Sequence, residues 1–307
     1  VSNVRNYQHR RGTIMVAIAA VLFALNGTAA RLVLDVGLSA PRLTQIRSVG
    51  ALFFIAIYVL MKNAKSLKIS KKDVPFLAVY GIAGFAFVQY FYFVAITKLG
   101  VGIGLLFEFT APVWIVLYVR FFRHEAVKKR MYAALACTVS GLVLISQLWS
   151  NTKLEPIGIA CGLIASVSLA IYFLLGDKGV HKRDTLSLVT WGFIFATIFW
   201  AIFQPIWNFP AKVLNTNLDL GGPFAGSSVS GWWVILFIVL LGTIAPFLLT
   251  IGALRYTSPA RVGLIGTLEP VLAGAFAWWW LGESLSLVQI GGAVVVLCGI
   301  LLAETSR

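Results

Sequence analysis

The stretch Ala95–Gly141 recurs 158 positions later without a gap: Ala95 falls on Ala253, Pro112 on Pro270, Glu125 on Glu283 and Gly141 on Gly299. Upstream, Gly84 falls on Gly242 in the same register. Leu and Val coincidences carry no weight in so apolar a chain, but a Pro, a Glu and two Gly keeping phase do. Each copy reads as an apolar helix, a proline-bearing helix, a charged turn and a glycine-containing helix. A fixed internal period constrains a fold before any local pattern does. In a membrane chain it points to transporter architecture, with the site between the repeats.

That the chain is a membrane chain follows from its balance: 307 residues, 59% apolar, 12% charged. Ten apolar runs long enough to span a bilayer can be drawn, at 13–34, 43–61, 74–97, 101–121, 131–149, 156–176, 185–204, 231–254, 259–281 and 287–303. Arg5, Arg10 and Arg11 precede the first, a pattern that also fits a signal peptide cleaved after Thr28-Ala29-Ala30. The apolar pattern runs on to Leu34, which favours a retained first helix. The segment 205–230, rich in Pro, Gly, Asn and Ser and carrying Trp207 and Phe209, reads as a surface loop at the membrane interface.

The net charge of +14 does not signal nucleic acid, because the basic residues cluster between apolar runs. With the N-terminus inside, cytoplasmic segments hold 19 of the 25 Lys and Arg; the outer ones hold Arg31, Arg42, Lys98, Lys153 and Lys212. Both termini are then cytoplasmic. A repeat of five spans is odd, so the second copy enters the membrane inverted, with the first repeat over 1–150 and the second over 151–307. The fold expected is all-α, ten transmembrane helices as two inverted five-helix repeats. The three cysteines (Cys137, Cys161, Cys298) lie in apolar runs and read as buried thiols. The three histidines (His9, His124, His181) are ungrouped at span ends, so neither a metal site nor a cofactor is expected.

Arg47, the run Ala95-Ile96-Thr97-Lys98-Leu99-Gly100, Pro112 and Leu281-Gly282-Glu283 resemble the EamA group of the drug/metabolite transporter superfamily. Leu106-Phe107-Glu108-Phe109-Thr110-Ala111-Pro112 and Leu268-Glu269-Pro270 are similar to its bacterial amino-acid exporters, most of all the YddG type that exports aromatic amino acids. The resemblance implies a central cavity between two halves and efflux of metabolites across the bacterial inner membrane. The first repeat departs from it, with Arg123-His124-Glu125 where the family has Leu-Gly-Glu.

Three ionisable residues lie well inside the spans: Arg47, Glu108 and Glu269. A charge at mid-helix costs roughly 2.5–3.5 kcal/mol on insertion scales, so each needs a partner or an aqueous face. Arg47 reads as a lock on a carboxylate or helix-end carbonyl, or as a cavity group. Glu108 reads as cavity-lining or as half of a structural pair. Glu269, beside Pro270, is a cavity group or a cap for freed backbone. Pro112 and Pro270 each disturb the carbonyl four residues back, those of Glu108 and Gly266, which weakens both helices at the same level. Gly104, Glu108 and Pro112 stack on one side of the fourth span, a candidate cavity wall.

In the third span Phe85, Gln89, Tyr92 and Ile96 share a helical face, matched in the eighth by Thr243, Phe247, Thr250 and Leu254. Asn26 pairs with Tyr172 at an offset of 146. Such groups suit a small amphipathic solute, an amino acid above all, and equally suit plain packing. Small-residue stripes, Ala133, Cys137, Gly141 and Gly291, Val295, Gly299, favour close helix contact within the fold or in a homodimer through the fifth and tenth spans. The rival reading is an integral membrane enzyme acting on lipid-linked substrates, which needs clustered Asp, His or Lys near an interface. No GxxxxGK[ST] loop occurs, which excludes ATP-driven pumping by this chain alone.

Overall fold

A computed structural model describes residues 2–150, 154–282 and 284–305. Ten helices among them are long and apolar enough to cross a membrane: Gln8–Asp35, Ala40–Leu67, Lys71–Leu99, Val101–Phe121, Lys129–Ser146, Pro156–Val180, Thr185–Phe203, Gly231–Ala253, Pro259–Trp280 and Leu287–Thr305, here spans 1 to 10. The protein is an all-α integral membrane protein. Thr28, Ala29 and Ala30 lie within span 1. Phe53, Met61, Phe121, Ile202 and Leu301 stand exposed on the bundle, which is where lipid supplies the apolar solvent.

Helix packing repeats itself when the two halves are exchanged. Span 3 packs on span 6 as span 8 packs on span 1, and span 6 meets span 4 as span 1 meets span 9. Spans 2 and 7 form one self-matched pair, spans 5 and 10 another. The last pair is the closest. A Cβ on Gly141 would stand 2.7 Å from the Gly292 carbonyl oxygen and from Val296, and one on Gly299 would stand 2.5 Å from Thr138 Oγ1. The small residues of spans 5 and 10 therefore serve contact inside the chain. The contact face differs by one position from the expected stripes: it runs through Ala134, Thr138 and Gly141 against Gly292, Val296 and Gly299. Ala133 and Gly291 are exposed and Cys137 and Val295 half-buried. A helix with small residues at adjacent positions offers two such faces, and packing chose the neighbouring one.

Four irregularities matter more than the regular helix. Span 3 opens into a π turn at Ile82–Phe87, and span 8 does so at Leu240–Ile244. Gly84 and Gly242, the repeat-matched glycines, sit inside these turns. Span 4 breaks after Glu108, where Phe109 and Thr110 leave the helix before it restarts at Ala111. Span 9 breaks after Gly266, at Thr267, and restarts at Leu268. The weakened turns expected from Pro112 and Pro270 are thus real breaks, and Glu108 and Gly266 end matching half-helices.

The segment 205–230 is not the plain loop its composition predicts. It carries a helical turn at Lys212–Asn215 and a hairpin pairing Asn217–Asp219 with Ser228–Ser230. Val213, Leu214 and Leu218 bury themselves against Val33 and Leu38, closing one end of the bundle. Trp280 Nε1 donates to the Leu220 carbonyl at 2.6 Å. At Gly222 only glycine fits: φ is +51° and a Cβ would lie 1.5 Å from the Trp280 carbonyl oxygen. The burial expected for the cysteines holds for Cys161, whereas Cys137 is half-buried and Cys298 exposed, facing the apolar surround of the bundle. Lys153 and Glu283 lie outside the described residues, so the second copy of the charged turn is described only as far as Gly282.

Candidate substrate cavity

The two helix breaks border a cavity of about 90 Å³. Asn26, Arg47, Gln89, Tyr92, Glu108, Tyr172, Phe247, Thr250, Gly266 and Glu269 line it. Phe23, Gly27, Phe109, Leu169 and Phe173 complete the wall and were not singled out from the sequence. A second chamber of about 140 Å³ shares Phe23, Gly27, Tyr92 and Glu269 with the first. It runs past Pro270 to exposed Arg31, Gly102 and Ser284.

Six expected residues stand elsewhere, Ile96 against Gly104 and Leu254 in the buried core among them. Phe85 is fully buried against Tyr80, Tyr172, Phe193 and Phe247, its ring centroid 4.7 Å from that of Phe247. Thr243 lies behind the wall, with its hydroxyl donating to the Ile238 carbonyl at 2.8 Å. Both fall inside π turns. One extra residue per turn rotates a helix face by about 100°, so a face drawn at regular spacing across it is wrong at that end. Gly104 packs on Ile96, which would meet its Cβ at 2.5 Å, so it closes the turn between spans 3 and 4 and does not open a wall. Pro112 packs on Gly263 of span 9 at 3.2 Å from an added Cβ.

Arg47 is 3% exposed and spends its side-on edge on span 8. Nε donates to Thr243 Oγ1 and Nη2 to the Gly242 carbonyl, both at 2.9 Å. The reason for that acceptor is local. Pro246, four residues on, has no N–H to return to the Gly242 carbonyl, and the guanidinium supplies one. Its carbon lies 5.5 Å from the centroid of Phe93, a cation–π contact. Of the two sequence readings of Arg47, a lock on backbone and a cavity group, the geometry contains both. Among the described residues no carboxylate lies within 4 Å of it in an ion pair. Glu108 and Glu269 nonetheless sit within electrostatic reach of Arg47 and of each other.

The two carboxylates differ in their backbone setting. Glu269 occupies the first turn of the half-helix Leu268–Leu281, where the positive end of the helix dipole offsets its charge. Glu108 is the last residue of Val101–Glu108, where the dipole is negative. Gln89 donates to the Phe85 carbonyl at 2.7 Å, which fixes its amide and leaves Oε1 as an unpartnered buried acceptor. The Tyr172 hydroxyl is also unpartnered. The rings of Phe23, Phe109, Phe173 and Phe247 line the same cavity. Across the break in span 4, Thr110 and Trp114 both bond Ser166 of span 6, at 2.7 and 3.0 Å, so the restarted half-helix is fastened on the other side from Glu108. No grouping of His, Cys, Asp and Glu able to hold a metal occurs among the described residues.

Comparison with known proteins agrees with this architecture. A solved crystal structure superposes with a TM-score of 0.71 over 95% of this chain and 96% of its own, at 17% identity, which bears on the fold alone. An uncharacterised transporter of Archaeoglobus fulgidus is 25% identical over 303 residues, 96% of each chain. YdfC of Bacillus subtilis, also an uncharacterised transporter, is 24% identical over 75% of this chain and 71% of its own. The threonine/homoserine exporter RhtA of Escherichia coli is 24% identical over 82% of this chain and 77% of its own. Both halves of the chain, residues 10–147 and 156–305, match one and the same family, and the protein belongs to the EamA-like transporters.

Proposed function

We propose that this transporter exports amino acids, those with apolar or aromatic side chains first, and related small metabolites. The observation that supports this reading most is the cavity's composition: one guanidinium, two carboxylates, two amides and several aromatic rings line it together. An ammonium and a carboxylate on an apolar side chain match that set. A phosphorylated metabolite does not, because Arg47 is the only Lys or Arg among the described lining residues and two of its five N–H donors are committed to span 8. The exporter RhtA among the relatives is in keeping with an amino-acid substrate.

Alternating access follows from two inverted repeats divided near residue 150. In this arrangement the protein lies in a bacterial inner membrane with both termini cytoplasmic, and the second chamber faces out. Cysteines introduced singly in 62–73 are then shielded from an impermeant reagent in intact cells, while those in 208–228 react; reversed labelling contradicts the orientation. The function itself is tested by counterflow of labelled amino acids in proteoliposomes, with and without a pH gradient. Accumulation of phenylalanine or a similar amino acid is expected, and sugar phosphates outpacing every amino acid would refute the proposal.

A further inference from the structure

We infer that the cavity reads its substrate by a carboxylate, held on the open edge of Arg47, and that solutes bearing one bind more tightly than the amides they otherwise match. This rests on the proposed transport reading only for where the ligand sits. Arg47 is 3% exposed and lines the cavity. Its guanidinium is a planar fork of five N–H donors. Nε and one N–H of Nη2 are spent on Thr243 and the Gly242 carbonyl, which uses up the side-on edge. The guanidinium carbon lies over the ring of Phe93. The end-on edge remains, Nη1 and the second N–H of Nη2, with no acceptor among the described residues. Nη1 is not among the atoms sealed from solvent.

Such an edge has a natural partner. Two parallel N–H groups meet the two oxygens of a carboxylate in a bidentate, charge-assisted contact. The protein's own carboxylates do not take it: neither Glu108 nor Glu269 forms an ion pair with Arg47 within 4 Å. The fork is set before the ligand arrives, because the bulge of span 8 holds its other edge, so little freedom is lost on binding. Two further groups stand close by. Asn26 packs on Gly242, whose carbonyl holds Arg47, and its amide has no hydrogen bond among the described residues. Tyr92 lies within electrostatic reach of Arg47 and lines both chambers, and its hydroxyl has no partner among the described residues either. An amide N–H and a phenol O–H each add a donor for carboxylate oxygen. The rings of Phe23, Phe109 and Phe173 on the same lining accept the body of the ligand. The ligand class is a monocarboxylate on an aromatic or branched apolar body, an amino acid included.

The test is titration calorimetry on the purified full chain in detergent with two matched pairs of probes: L-phenylalanine against L-phenylalaninamide, and 3-phenylpropionate against 3-phenylpropanamide. Each amide keeps the shape of its acid and loses the negative charge and one acceptor oxygen. Each acid should bind at least about tenfold more tightly than its amide. Tyr92→Phe, which removes only a hydroxyl, should weaken the acids by about three- to tenfold and leave the amides unchanged. Arg47→Lys keeps the charge and loses the fork, and should bring acid and amide to within about threefold of each other. Should Arg47→Lys fail to fold, the wild-type order of both pairs and the Tyr92→Phe titration still decide. An amide that equals its acid, no binding of either acid, or a preference untouched by Arg47→Lys would each overturn the inference. Counterflow separates this from the transport reading. Amino acids that exchange while their amides compete equally well contradict only the carboxylate inference; acids that bind in the stated order while nothing is transported support it and contradict export.

Discussion

The π turns of spans 3 and 8 are the same backbone device, 158 residues apart, and their surroundings are opposite in kind. Around Gly242 stand Asn26, Thr243 and Arg47; at the matching places around Gly84 stand Tyr172, Phe85 and Phe193. A Cβ on Gly242 would lie 2.2 Å from Asn26 Oδ1, and one on Gly84 would lie 2.8 Å from the Tyr172 ring. One bulge is closed by hydrogen bonds to a cation, the other by rings packed edge to face. A backbone that repeats thus has surroundings that do not, a polar wall around one bulge and an aromatic wall around the other.

Replacing the central residue of each wall should separate them most. Arg47→Met removes two hydrogen bonds to a charged donor, each worth roughly 1.5–3 kcal/mol, and leaves Thr243, the Gly242 carbonyl and both carboxylates without their cation. Thermal melting should show a loss on the order of 3 kcal/mol or more together with loss of transport. Phe193→Leu, at the matching place, trims a packed ring and should cost roughly 1–2 kcal/mol. Equal losses would mean that the polar bulge is held by packing like its counterpart.

The glycines sharpen the contrast. Gly242→Ala and Gly84→Ala each overpack a tight contact, at a cost of about 1–3 kcal/mol. Asn26→Ala should relieve Gly242→Ala, since its side-chain oxygen is the obstacle. Tyr172→Phe should not relieve Gly84→Ala, because there the ring carbon and not the hydroxyl is in the way. Melting temperatures of the four single and two double variants decide it. The smallest effect belongs to Pro246→Ala, about 1 kcal/mol: the new N–H competes with Arg47 for the Gly242 carbonyl, and transport should weaken more than stability does.

Much of this fold was legible. Hydropathy placed ten spans with ends a few residues from those observed, and Pro112 and Pro270 marked both helix breaks. What escaped were the π turns, because hydropathy does not register one residue added to a helical turn. A signal existed: Gly84 and Gly242 kept phase through the repeat, and a glycine inside an apolar helix usually has a packing reason. Gly242 followed four residues later by Pro246 would have located the acceptor of Arg47. Without the bulges, Phe85 and Thr243 were assigned to the cavity face, and both lie one layer behind it. The hairpin within 205–230 was hidden by a composition that turns and loops share. In the cavity, Gln89 and Tyr92 stand out as polar residues at helical spacing and Asn26 and Tyr172 by their offset of 146, whereas Phe23 and Gly27 carry no such mark in an apolar first span.

Gly27 gives the most direct test that the solute passes through the two chambers. It lines both, and a Cβ there meets nothing within 4 Å. Gly27→Phe should therefore put a ring into the space they share from an unobstructed Cβ, and replacing a helical glycine leaves stability equal or higher by up to about 1 kcal/mol. Amino-acid counterflow in proteoliposomes is the measurement. The account predicts transport lost at unchanged melting temperature; wild-type transport by Gly27→Phe would contradict it.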